Sequence, residues 1–216
     1  MRMEVGQKRV RVFVAGQLVA DTRRPMLVWE KPYYPTYYLP AADVVAEVTP
    51  AGDVVVGDRV VRGAATRLDD LVRLDFAAMD EWLEEDEPIY VHPRDPYKRV
   101  DVLASSRHVE VLVDGVRVAD SRQPRILFET SLPPRYYLPL PDVRMDLLTP
   151  SDTRTSCPYK GTADYWHVGE HRDIVWIYRT PLPESQKVTG LACFYNEKVD
   201  LVVDGEPQER PSSPFS

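Results

Sequence analysis

Apolar side chains recur at every second position in two places along the chain, at Val10, Val12 and Val14 and again at Val109, Val111 and Val113. A period of two lines one face of a β-strand. Each run is followed by a glycine, Gly16 or Gly115, and then by a second apolar stretch. A glycine can take the positive φ of a tight turn, so both places predict a β-hairpin. Proline clusters at 132–134 and 138–141 interrupt any helix there and separate short strands. One stretch has a different rhythm: Leu68, Leu71, Val72, Met79, Trp82 and Leu83 fall near helical spacing and predict one helix between Thr66 and Glu85.

The two hairpins are versions of one sequence. Residues 12–23 match residues 111–122, placing Gly16 opposite Gly115, an offset of 99. The register continues without a gap through Glu30 and Glu129, through the Tyr-Tyr-Leu-Pro of 37–40 and 136–139, and through Asp43 and Asp142. About half of the positions from Val12 to Val44 are identical to their partners, far above chance for an ungapped window. Val100-Asp101 also matches Val199-Asp200 at the same offset. The chain therefore reads as two tandem domains, 9–103 and 109–204, joined by 104–108 and followed by a tail, 205–216, too poor in apolar residues to hold structure. The fold class expected is mainly β, with two small barrel- or sandwich-like units and the single helix in the first. Where that helix is expected, the second copy instead carries Trp166, Trp176, Ile177 and Tyr178, a strand-like composition.

Composition narrows the partners. A hydrophobic share of 44% and a charged share of 28% suit a folded globular protein. The net charge of −7 argues against a nucleic-acid surface, which needs clustered Lys and Arg, and against docking on an anionic membrane. No stretch approaches the ~20 apolar residues of a spanning helix, and Met1 to Val14 lacks the apolar core of a signal peptide. With only two cysteines, Cys157 and Cys193, a reducing, cytoplasmic location is expected.

Tyr136-Tyr-Leu-Pro139, Asp142-Val143, Cys157-Pro-Tyr-Lys-Gly161, Tyr165-Trp166 and the run Phe194 to Asp200 together resemble the family named domain of unknown function 427. The resemblance covers most of 109–204; the first copy is similar to a degenerate member through its hairpin, its Tyr-Tyr-Leu-Pro and its terminal Val-Asp. It implies a compact, mainly β domain and no general activity. Nucleotidyl transfer, loosely attached to such sequences, finds no support in the residues: there is no Gly-Ser signature and no Asp-x-Asp pair to hold magnesium and a nucleotide.

Candidate chemistry gathers in the second copy. Cys157 and Lys160 stand three residues apart on a turn fixed by Pro158 and Gly161, and a nearby cation raises the thiolate fraction of a cysteine. Cys157 is thus a candidate nucleophile with His167 as a possible base; the alternative is a small buried residue beside a turn. Lys160 is a candidate for a Schiff base, for an ion pair with Glu129 or Glu197, or for binding an anion. Tyr136, Tyr137, Tyr159, Tyr165, Trp166 and Tyr195 present apolar faces with polar tips, which suits a partly wet pocket and equally suits a β core. Cys157, His167, His171 and Cys193 lack the paired spacing of a zinc knuckle, so neither a metal nor a cofactor is expected. Two functions stay open: a small organic ligand, neutral or anionic, bound in the second domain, or a cofactor-independent enzyme using Cys157, Lys160 and Glu197.

Overall fold

The structure, a computed structural model, describes residues 2–216. The chain divides into two compact units, the first ending at Pro96 and the second beginning at Tyr97. Strands make up most of the regular structure, and the helical turns are short 3-10 segments.

In the first unit a five-stranded antiparallel sheet runs in the order Arg2–Val5, Met26–Lys31, Tyr34–Pro40, Leu71–Leu74, Ala65–Leu68. A four-stranded sheet runs Glu87–Ile89, Glu81–Glu84, Val10–Val14, Gln17–Thr22. Val10, Val12 and Val14 alternate between buried and half-buried neighbours, and their buried row packs with Leu39, Val72, Leu74 and Trp82. Each fully buried aliphatic chain contributes about 1.5–3 kcal/mol. The turn at Ala15-Gly16 has φ of +50° and +73°, the two positive values of a tight hairpin turn. A small three-stranded sheet, Glu47–Val48, Val54–Val56 and Arg59–Val61, completes the unit.

The second unit opens with the same arrangement. Val100–Ala104 pairs with Arg125–Glu129 as Arg2–Val5 pairs with Met26–Lys31, so that Val102 lies opposite Leu127 and Met3 opposite Val28, each 99 residues apart. Ser105 donates its N–H to the Pro124 carbonyl as Gly6 does to Pro25. The main sheet then extends to seven strands, in the order Val100–Ala104, Arg125–Glu129, Arg135–Leu138, Ala192–Phe194, His171–Tyr178, Gly161–Val168, Leu148–Cys157. The four-stranded partner sheet is Val116–Ser121, Val109–Val113, Asp200–Val203, Glu206–Gln208.

Four sequence expectations need correction. Thr66–Glu85 is not a helix: it holds the strands Ala65–Leu68, Leu71–Leu74 and Glu81–Glu84 with a 3-10 turn at Phe76–Ala78. Short strands joined by turns place apolar residues at mixed spacings of three and four; the decisive signal was Val72 and Leu74, two apart and both 1% exposed. The joint is not 104–108, because Ala104 is the end of an edge strand paired to Arg125. The Val-Asp match at 100–101 and 199–200 is accidental. Val111 pairs with Leu201 as Val12 pairs with Trp82, so the closing strand of the first unit is Glu81–Glu84, not the strand at Val100. The tail is not disordered throughout: Glu206–Gln208 is a strand, Ser213 donates to Glu197, and Phe215 packs 6.0 Å from the Tyr195 ring. Composition undervalued it because its anchorage is mostly polar.

Candidate functional site

The seven-stranded sheet carries a buried cluster on each face, and the period-two rule sorts adjacent residues between them. Leu138, Trp166, Ile177 and Ala192 face the four-stranded sheet in an apolar core with Val109, Val111 and Leu201. Their neighbours Tyr137, Tyr165, Trp176, Tyr178 and Cys193 point to the opposite face, where they pack with Val102, Leu127 and Val188. That second face carries the unit's two least exposed ion pairs, Lys160–Glu129 and Arg135–Glu197.

At one end Lys160 forms an ion pair with Glu129, their side chains 13% and 6% exposed. The turn that places Lys160 is closed by its own N–H to the Cys157 carbonyl, 3.3 Å, and Gly161 follows with φ +95° against the backbone of Thr180 and Leu182. Burial works against the Lys160 ammonium, but the adjacent Cys157 and the Glu129 carboxylate outweigh it and raise its pKa. Cys157 and Lys160 are therefore neighbours, as the motif suggests.

Further along the face the Thr155 hydroxyl lies 2.8 Å from the Tyr165 hydroxyl, which lies 3.3 Å from that of Tyr195. Trp176 packs 4.6 Å from the Tyr195 ring and donates its indole N–H to Tyr137 at 3.1 Å. Beyond Tyr195, Arg135 and Glu197 make two parallel contacts of 2.7 Å. Burial raises the Glu197 pKa, yet hydrogen bonds from Arg135 and Ser213 prevail and hold it below the usual carboxylate range. The guanidinium carbon of Arg135 stands 5.6 Å from the Trp176 ring and 5.7 Å from those of Tyr195 and Phe215.

Of the candidate residues, Cys157, Lys160, Glu129, Tyr137, Tyr165 and Tyr195 share this face. Glu197 lies on it too, but its partner is Arg135, while Lys160 takes Glu129. Trp166 and Tyr136 turn to the opposite core. Tyr159 contributes its carbonyl, which accepts from Ser185 at 3.2 Å. His167 is no base for Cys157: on the hairpin Cys157 pairs with Gly161 and His167 with Thr149, six residues or roughly 20 Å along the strand. His167 instead accepts from the Asp173 N–H at 2.9 Å, and His171 sits 2.8 Å from Asp114. Cys193 is fully buried, and burial pushes its thiol well up.

Sequence reasoning missed Arg135 as a member of this group. Its signal was available, since it stands two residues before Tyr137 on the same strand and so shares its face.

No curated protein matches the chain. A family described as a domain of unknown function (DUF427) matches residues 2–69 and 101–205, most of both units. The chain belongs to this DUF427 family.

Proposed function

We propose that the second unit binds a small organic ligand at the end of the aromatic face where Cys157, Lys160 and Glu129 meet, with Tyr165 and Tyr195 as flanking hydroxyls. One observation carries this reading. A lysine and a glutamate are nearly buried together at one end of an aromatic-rich face, beside a half-buried thiol and the exposed Thr155 and Ser156. Burying an ion pair gains little for stability against an apolar alternative of equal volume, so its presence favours recognition over packing. An incoming acid would exchange with Glu129 for the Lys160 ammonium. The test is thermal denaturation with millimolar citrate or inorganic phosphate, using wild type and Lys160→Met. A stabilisation in wild type that the variant lacks supports the site; equal shifts in both exclude it.

A second reading, a cofactor-independent enzyme, rests on the contact between the Cys157 thiol and the Lys160 ammonium. In it Cys157 attacks and Lys160 holds the developing anion, while Glu197, committed to Arg135, orients the far end of the face. Cys157→Ser separates the two readings: it spares binding under the first and abolishes turnover under the second. Both free thiols and the acidic net charge support a cytoplasmic protein with no nucleic-acid partner.

A further inference from the structure

The first unit holds a cavity of about 200 Å³ where the second unit is filled. The ladders fix the correspondence. Leu39 pairs with Val72 as Leu138 pairs with Ala192. Counting from these pairs, Thr36 stands for Arg135, Arg73 for Cys193, Asp75 for Tyr195 and Ala77 for Glu197. In the second unit the space belongs to the Arg135–Glu197 pair, covered by Ser213 and Phe215 of the chain that follows the last hairpin. In the first unit Thr36 and Ala77 are too short to fill it, and the chain that follows the last hairpin, Val91 to Pro93, lines the opening instead.

The lining has the character of a binding site. Tyr34 and His92 stack at 3.8 Å with planes 12° apart, and Phe76 and Trp82 stack at 4.9 Å with planes 9° apart, so the walls are flat rings. The anions on the lining are committed. Glu30 accepts from Tyr38 at 2.6 Å and Thr36 at 3.1 Å, and Asp75 accepts from the Ala77 N–H. Arg73 is less fully engaged: it pairs with Glu30 at 3.4 Å through a buried Nε that makes no hydrogen bond, and its side chain is partly exposed. A buried donor left unmade is costly, and a ligand carboxylate on a guanidinium is the strong remedy. At the rim Val91 has φ +73°, a left-handed conformation that a β-branched residue adopts only under constraint and that concentrates at ligand clamps.

We propose that this cavity binds a small planar carboxylate, its ring between the aromatic walls and its acid group on Arg73. The size sets the limit: a cavity of ~150 Å³ holds benzene, and drug-sized ligands need ~300 Å³ or more, so the occupant is a single ring with its acid group. The proposal is independent of the site at Lys160.

Benzoate is the probe, titrated into the whole protein by calorimetry or followed by saturation-transfer NMR. Binding is expected, at least tenfold weaker for cyclohexanecarboxylate, which is not flat, and for benzyl alcohol, which has no charge. Arg73→Gln should weaken benzoate at least tenfold. Thr36→Arg with Ala77→Glu rebuilds the pair of the second unit and should abolish binding while thermal melting shows a folded protein; if that double variant does not fold, Thr36→Leu alone fills the space and serves instead. Lys160→Met should leave benzoate affinity unchanged. Failure of wild type to bind, undiminished binding in Arg73→Gln or in the filled variant, or loss in Lys160→Met overturns the assignment.

Discussion

Arg135 and Glu197 meet end on, two N–H···O contacts of 2.7 Å joining a guanidinium 7% exposed to a carboxylate side chain with no exposure at all. The pair stands 62 residues apart in sequence and ties the strand Arg135–Leu138 to the turn that leads into the closing strand. Its energetics follow from desolvation. Two charges taken out of water gain little net stability as a pair, but either one alone is left with an uncompensated burial.

Removing one partner should therefore cost far more than removing both. Glu197→Gln or Arg135→Met is expected to destabilise the second unit by about 3–5 kcal/mol, while Arg135→Met with Glu197→Leu returns most of that loss. Urea denaturation followed by tryptophan fluorescence reads both. Single variants within 1 kcal/mol of wild type would show that water reaches the pair.

The acid side of the stability profile carries the same pair. Glu197 sits below its ordinary value of 4.5 when folded, so it binds fewer protons than in the unfolded chain. Its contribution is complete above the ordinary carboxylate range and is lost as pH falls through the depressed folded value. Melting temperature should decline below about pH 4.5 more steeply in wild type than in Arg135→Met with Glu197→Leu. Parallel curves for the two proteins would remove Glu197 from the acid transition.

The sequence showed the architecture through periodicity and repetition, since alternating valines and a constant offset of 99 are local patterns that survive divergence. It was weakest where the two units differ in length. Between Leu39 and Trp82 the chain turns through short strands whose apolar spacing imitates a helix, and the second unit spends about twenty more residues on the same path, so matching beyond Asp142 drifts out of register. The neighbours Cys157 and Lys160 were legible because a turn joins them. Their carboxylate was not, because Glu129 is placed by strand register and Glu197 by the turn before the closing strand, and neither placement is local to Lys160.

The two thiols should separate cleanly in reactivity. Cys193 is completely buried and its thiol is pushed up by that burial, whereas Cys157 is half-buried at the end of a hairpin strand. Native protein should take up one equivalent of a thiol reagent, at Cys157, and two after unfolding; Cys157→Ser should take up none in the native state. Labelling sites read by peptide mass spectrometry decide the matter, and native modification of Cys193 would contradict its burial.

The hairpin turns offer a gain in stability. Three of them have the same left-handed pair of residues: Ala15-Gly16, Asp114-Gly115 and Asp204-Gly205, with φ between +50° and +86°. Two place an aspartate first, a residue that tolerates this conformation, but the first places Ala15, whose methyl group opposes φ of +50°. The Ala15 N–H donates to Asp80 at 2.6 Å, and a second negative charge beside that carboxylate is unwelcome, so the neutral asparagine suits the position better than aspartate. Ala15→Asn is expected to stabilise the first unit by about 0.5–1 kcal/mol, with Ala15→Asp gaining less. Chemical denaturation of the three proteins under one buffer orders them. A loss of stability in Ala15→Asn would mean that the turn conformation is set by the Asp80 hydrogen bond and not by the preference of the residue.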